Sequence, residues 1–393
     1  MSADPTGPAT PGPEIFVVAG EASGDRHAAE LLRELRKLYP TARFTGVGGR
    51  HLKAAGQEQL FDLAVHAVVG LTDVLWNYRK FRGFFRRLEE ELVRRQPAAL
   101  VLVDFPGFNL RLAAALRRRL PETKFIYFIS PQVWAWKSAR ADDMARVLDH
   151  LLVIFSFEKE WFAKRRPDLP VTWVGHPIVD RWAVDETHLD EEEAAERIVL
   201  LPGSRRREID QHLTILLGAV RIISARRPGV KFSVLASDPE RRAQIEKVIR
   251  RERAESLGLD IRMGYQLTHL ARSSLALVAS GTATLECAAA GLPMIILYRV
   301  NPVTFWVGRK LVKLPYIGMV NVIAGEKVVP EFLQDLATPE GLAEASLALL
   351  DHPPTLEKMR ERLAKVRKTL GEPGVNERAA RAIRQVIEEP RKA

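Results

Sequence analysis

The sequence predicts an α/β protein of two Rossmann-like, doubly wound domains facing a cleft, with helices at the C-terminal end. Two observations carry this. Runs rich in Val, Ile, Leu and Phe alternate with segments whose apolar residues fall three and four apart, so strands buried on both faces alternate with amphipathic helices. The alternation lapses once near the middle and then restarts, dividing the chain into two similar halves.

The first-half strands are "EIFVVA" at 14–19, "ALVLVD" at 99–104, "KFIYFI" at 124–129, "HLLVIF" at 150–155 and "VTWV" at 171–174. Between the first two, Ala28, Leu31, Leu32, Leu35 and Leu38 form one helical stripe. The lapse is "PIVDRWAVDETHLDEEEAAE" at 177–196, a proline followed by an acidic stretch. Strands resume with "RIVLLPGS" at 197–204, "KFSVLA" at 231–236, "LDIRM" at 259–263, "LALVAS" at 275–280 and "PMIILY" at 293–298. The expected division is a disordered tail at 1–13, a first domain at 14–180, a linker at 181–196 and a second domain at 197–393. Three helical patterns from about 338 to 390 close the second domain or pack across both.

Composition narrows the class. Hydrophobic residues at 47% and charged residues at 27% of 393 are ordinary for a globular protein and exclude a fibrous or disordered one. The excess of 59 Lys+Arg over 49 Asp+Glu, a net charge of +10, favours anionic partners. A single cysteine, Cys287, excludes an intrachain disulfide and reads as a small buried apolar residue. The start lacks the apolar core of a signal peptide, and the longest apolar tract, 275–297, is broken by Gly281, Thr282, Glu286, Gly291 and Pro293. A soluble chain, free to attach to a membrane surface, is therefore expected.

Several strand-to-helix turns carry chemistry. "VVAGEASGD" at 17–25 looks like a nucleotide loop but holds Glu21 and Asp25, which would repel a pyrophosphate. Gly20 and Gly24 let the chain turn, Glu21 suits sugar hydroxyls, and Asp25 suits the first turn of its helix. In "LPGSRRRE" at 201–208, Ser204, Arg205 and the backbone N–H groups suit a diphosphate, although a Ser cap with solvated arginines would read the same. In "SGTATLE" at 280–286, a candidate ligand-binding turn that includes Ala283, Gly281 permits close approach, Thr282 can donate to phosphate, and Glu286 accepts from ribose hydroxyls or completes a capping box. Asp104 in "VLVDFPGFN", with Asn109 close behind, ends a buried strand and reads as a general base or a helix cap.

"SPQVWAWK" at 130–137 sets Trp134 and Trp136 beside Lys137 and Arg140, which suits sugar and phosphate; tryptophans also simply pack. His176 in "VGHP" sits at a strand end facing the expected cleft and is a candidate substrate contact, although an isolated histidine is more often structural. At 65–87, Val68, Val69, Leu71, Val74, Leu75 and Trp76 precede a basic run that includes Arg79, Lys80 and Arg82. That combination suits an anionic membrane interface, or an amphipathic helix lying on the sheet. Nothing in the sequence calls for a metal or a cofactor, and no recognition motif points to nucleic acid.

In order and spacing, "GEASGD", "DFPGFN", "SPQVWAWK", "VGHP", "LLPGSRRRE", "SGTATLE" and "NPVTFW" resemble the lipid-A-disaccharide synthase family, from about 14 to 385. The resemblance implies an inverting, metal-independent glycosyltransferase of the two-domain GT-B fold. Such an enzyme transfers 2,3-diacylglucosamine from a UDP-linked donor to 2,3-diacylglucosamine 1-phosphate, releasing UDP and a β-1,6-linked disaccharide. It further implies Asp104 as the base for the acceptor's 6-hydroxyl, Glu21 as an acid associated with activity and Asn321 as a donor-site residue. The first half then takes the acceptor and the second UDP, at the cytoplasmic face of the inner membrane of a Gram-negative cell. Another GT-B enzyme using UDP-N-acetylglucosamine is the alternative, and a non-catalytic basic membrane or nucleic-acid module the remote one. A homo-oligomer is left open.

Overall fold

The structure is a computed structural model that describes residues 12–20, 22–62, 78–185, 196–264, 267–301, 305–306 and 314–390, without the side chains of 22, 62, 78–81 and 183–185. It divides into two compact units, residues 1–177 with 374–393, and residues 178–373.

The first unit holds a seven-stranded sheet of β1 (Glu14–Ala19), β2 (Arg43–Gly48), β3 (Glu58–Asp62), β4 (Ala99–Val103), β5 (Lys124–Phe128), β6 (His150–Val153) and β7 (Val171–Trp173). The strand order is β3-β2-β1-β4-β5-β6-β7, with every pair parallel. The second holds a six-stranded parallel sheet of β8 (Arg197–Leu201), β9 (Lys231–Ala236), β10 (Asp260–Met263), β11 (Leu275–Ala279), β12 (Met294–Tyr298) and β13 (Glu331–Leu333). Its order is β10-β9-β8-β11-β12-β13. Full burial of β4 and β11 follows from helices covering both faces, which is why these strands are apolar throughout.

In both sheets the chain winds outward to one edge and then returns to the other side of its first strand. The reversals fall between β1 and β4 and between β8 and β11. Ligands of open parallel sheets bind at the carboxyl ends of the strands flanking such a switch. The turns that do so here are those after Ala19, Val103, Leu201 and Ala279.

The boundaries depart from the expected division. The last helix, Val375–Glu388, packs on the helix Ala22–Leu38 of the first unit. Lys124 Nζ donates to Glu389 O at 2.8 Å and Arg378 Nε to Val174 O at 3.0 Å, tying it there. The proline-acidic stretch is not all linker, because the helix Ile178–Asp185 opens the second unit. Ile178, Val179 and Trp182 give it a buried face, and the Arg367 guanidinium stacks over Trp182 at 4.3 Å. Acidic neighbours had masked that stripe.

Candidate active site

At the switch of the first unit, Asp104 and Phe105 both adopt left-handed backbone, with φ of 49° and 51°. Two consecutive non-glycine residues in that region hold strain, so surrounding bonds must enforce it. They are visible: the Asp104 carbonyl accepts from Asn109 Nδ2 at 2.7 Å and from the Tyr127 hydroxyl at 2.5 Å, while Asp104 N donates to Phe128 O at 3.1 Å. Asn109 Nδ2 also donates to Val103 O at 3.2 Å. Asn109 is fully buried, so the expected substrate contact is replaced by a structural role, with its amide holding the turn that carries Asp104.

The neighbouring turn accounts for the glycines of "VVAGEASGD". A Cβ on Gly20 would come within 2.2 Å of the Phe105 ring, and one on Gly24 would sit 3.6 Å from Asp104 Cβ. Glycine at 20 thus admits the strained turn beside β1. Glu21 lies outside the described residues. Asp25 does more than favour its own helix: its buried carboxylate accepts from the backbone N–H groups of Gly49, His51 and Leu52 at 2.7, 2.9 and 3.2 Å. It caps the helix Arg50–Ala54 and pins the turn after β2.

Along the same edge, beyond β5 and β6, the two tryptophans separate. Trp134 is half-buried, its Nε1 donating to Glu158 Oε1 at 3.0 Å and its ring edge-on to Phe157. These contacts anchor the loop. Trp136 is the exposed one. Glu158 was not foreseen. Fully buried, it also accepts from Ile154 N and Phe155 N, at 3.2 and 3.1 Å, and burial raises its carboxyl pKa to about 7 against the pull of those donors. His176 is likewise buried, its ring centroid 5.6 Å from that of Phe155.

In the second unit, β8 runs into Pro202, Gly203 and Ser204, and the helix Arg206–Arg226 follows. Gly203 has φ of 116°, and a Cβ there would meet Glu208 Oε2 at 2.6 Å. Glu208 folds back to accept from Ser204 N and Arg205 N, both at 3.2 Å, and pairs with Arg205 Nη1 at 3.2 Å. The backbone donors assigned to a diphosphate therefore cap the helix instead, while the Ser204 side chain and the arginines at 205–207 stay exposed. Behind the turn, buried His212 bridges two loops, with Nδ1 3.0 Å from Pro202 O and Nε2 3.1 Å from Arg299 N. A proton on Nδ1 satisfies both contacts.

Beside it, β11 leads through Ser280 and Gly281 to the helix Ala283–Ala289. Gly281 and Thr282 are exposed, Ala283 is partly so, and a Cβ on Gly281 would meet nothing within 4 Å, so the space before this turn is open. Glu286 points the other way: it is buried and pairs with Arg181 Nη1 at 3.4 Å, rather than offering its carboxylate to a ribose. Asn321 is also turned inward. Its Nδ2 donates to Val329 O and Glu331 Oε1, at 2.9 and 2.8 Å, and its Oδ1 accepts from Val328 N and Val329 N, at 2.8 and 3.0 Å. With both amide ends used, it positions a loop rather than touching a donor. Glu331 completes that network by accepting from Ile317 N and Gly318 N, and Ser280 Oγ donates to Ile317 O at 3.2 Å.

Arg181, His212 and Glu331 gave no sequence signal, since each depends on a partner distant in the chain. Val68, Val69, Leu71, Val74, Leu75 and Trp76 lie outside the described residues. Arg79, Lys80 and Arg82 belong to the helix Tyr78–Arg95, where Arg82 is exposed. Among the described residues no helix is long and apolar enough to cross a membrane.

Two parallel doubly wound units with polar turns at their switch points give the chain the two-domain GT-B fold. Solved structures share that fold: UDP-GlcNAc 2-epimerase from Neisseria meningitidis bound to UDP-GlcNAc, at 12% identity and a TM-score of 0.64, over 95% of this chain and 99% of that one. The calicheamicin glycosyltransferase CalG4 has 15% identity and a TM-score of 0.59, over 95% and 98%. A family model described as lipid-A-disaccharide synthetase matches residues 15–386. The lipid-A-disaccharide synthase of Geobacter metallireducens is 37% identical over 385 residues, 96% of this chain and 98% of its own. The chain belongs to the lipid-A-disaccharide synthase family, and is a hexosyltransferase of lipid A biosynthesis.

Proposed function

We propose that Asp104 is the general base of this transfer, with 2,3-diacylglucosamine 1-phosphate as the acceptor and UDP-2,3-diacylglucosamine as the donor. One observation carries the assignment: a carboxylate at a switch point, on a left-handed turn clamped from two sides. Such enforced strain is characteristic of residues that must be aimed. The base takes the proton of the acceptor's 6-hydroxyl as that oxygen attacks the anomeric carbon. One displacement inverts the centre and releases UDP. Negative charge then grows on the diphosphate, and the exposed Ser204, Arg205 and Thr282, at two helix starts on adjacent strands, are suited to receive it.

Both substrates carry acyl chains, so we place the enzyme at the cytoplasmic face of the inner membrane. The basic start of the helix Tyr78–Arg95, with the apolar residues before it, supports that docking by composition. The test is a transfer assay with radiolabelled UDP-diacylglucosamine and acylated or unacylated acceptor 1-phosphate, with products identified by mass spectrometry. An acylated disaccharide 1-phosphate, formed with strong preference for the acylated acceptor, is expected. Equal turnover of the unacylated acceptor, or epimerisation of UDP-N-acetylglucosamine without transfer, would overturn the reading.

A further inference from the structure

We infer that Trp136, Lys137 and Arg140 form a subsite for a sugar phosphate monoester; on the function proposed above, its occupant is the acceptor's 1-phosphate. The loop is built unusually. Ile129, β-branched, has φ of 65° at the end of β5, and Lys137 has φ of 55°. Both are conformations that such side chains rarely adopt. The bond from Trp134 to buried Glu158 fixes the middle of the loop and leaves Trp136 outward, 40% exposed.

Two cations gather on that one indole. Lys137 Nζ lies 4.6 Å and Arg140 Cζ 5.7 Å from the ring centroid. Among the described residues, neither has a carboxylate within ion-pair distance, whereas Arg146, Arg165 and Arg166 nearby all pair with Asp142, Asp143 or Asp168. Like charges held beside one ring repel, and an anion shared between them removes that cost. A guanidinium and an ammonium together suit a phosphate, and an indole edge beside them suits the apolar face of a sugar.

Position selects the ligand. The loop leaves β5, which is stitched to the Asp104 turn through Phe128 O and the Tyr127 hydroxyl, so the cations and the proposed base share one edge of one sheet. The donor's diphosphate has its own hydroxyls and arginines in the second unit. A monoester on the acceptor sugar is the anion left to recognise.

The full-length protein is titrated calorimetrically with glucosamine 1-phosphate, inorganic phosphate and glucosamine. Glucosamine 1-phosphate should bind tightest of the three. Lys137→Ala and Arg140→Ala should each weaken it roughly tenfold, as loss of a charge-assisted contact does. Trp136→Ala should weaken glucosamine 1-phosphate more than inorganic phosphate, and Lys159→Ala, an exposed control in the same unit, should change nothing. In transfer assays the three subsite variants should raise the acceptor KM and leave the donor KM unchanged.

Wild-type affinity for glucosamine 1-phosphate in both Lys137→Ala and Arg140→Ala would overturn the subsite. So would variants that lose sedimentation with phosphatidylglycerol vesicles yet bind the sugar phosphate normally, since the patch would then be a lipid contact. If sugar phosphate binding needs both cations but wild-type protein transfers nothing, the subsite stands and the proposed reaction falls.

Discussion

The two switch points are built from the same strand-turn-helix unit and arranged in opposite ways. In the first unit the turn after β4 is strained, with Asp104 and Phe105 left-handed and a buried amide and a hydroxyl clamping the carbonyl between them. In the second, the turns after β8 and β11 reserve positive φ for Gly203, and neither Ser204 nor Thr282 is left-handed; both are exposed at relaxed helix starts. On the roles proposed above, a residue that must meet one proton in one direction needs an over-determined backbone. Residues that neutralise a delocalised diphosphate need only charge and reach. Strain should therefore map onto kcat, and the second unit onto donor affinity.

The largest expected effect is on the strained side. Asp104→Asn keeps the shape and removes the proposed base, so transfer should fall on the order of 10³-fold, while UDP affinity measured by calorimetry stays at the wild-type value. Near-normal turnover in this variant would move the base elsewhere and dissolve the contrast.

A paired measurement sharpens it. Asn109→Ala removes one clamp from the Asp104 carbonyl, and we expect kcat about tenfold lower at an unchanged donor KM, with a stability loss of about 1–3 kcal/mol for the buried bonds. Arg205→Ala should do the reverse, raising the donor KM about tenfold, as expected for a lost charge-assisted contact, with little change in kcat. If both variants moved the same parameter, the division of labour would be wrong.

How much of this was legible in the sequence depends on where the signal resides. Apolar runs announced β1 and β4 to β12: burial on both faces imprints itself locally in central strands such as β4 and β11, and the shorter runs of the edge strands β7 and β10 were read although those strands are only partly buried. The strand β2, "RFTGVG", and the three-residue β13 carry no such run; β2 contains Gly46, where a Cβ would meet Val17 O at 1.9 Å, a requirement set by the neighbouring strand. Motif turns were placed correctly at the strand ends. The internal partners of their side chains were not legible: Asn109, Trp134 and Glu286, at or just after those turns, and Asn321, in the helix Met319–Ala324, bond to groups from 5 to 105 positions away. Spacing reveals which turn a residue occupies, whereas its partner is fixed only by the fold.

The most specific effect concerns Glu158, which lies between these cases: a buried acid in the first unit that strains nothing but anchors Trp134. Its carboxyl holds a proton up to about pH 7 in the folded protein, because burial lifts it from the ordinary glutamate value of 4.5. Between those values the folded state binds more protons than the unfolded one, so this group makes stability fall as pH rises from about 4.5 to about 7 and constant beyond. A shift of that size corresponds to a change on the order of 3 kcal/mol across the window. Glu158→Gln should flatten that slope in urea unfolding between pH 5 and pH 8, relative to wild type. In the wild type the Trp134 indole N–H resonance should also titrate near pH 7, because its acceptor gains charge there, and in the Gln variant it should stay still. Equal slopes in the two proteins, together with a pH-independent indole resonance, would show that Glu158 is ionised throughout and that three N–H donors outweigh its burial.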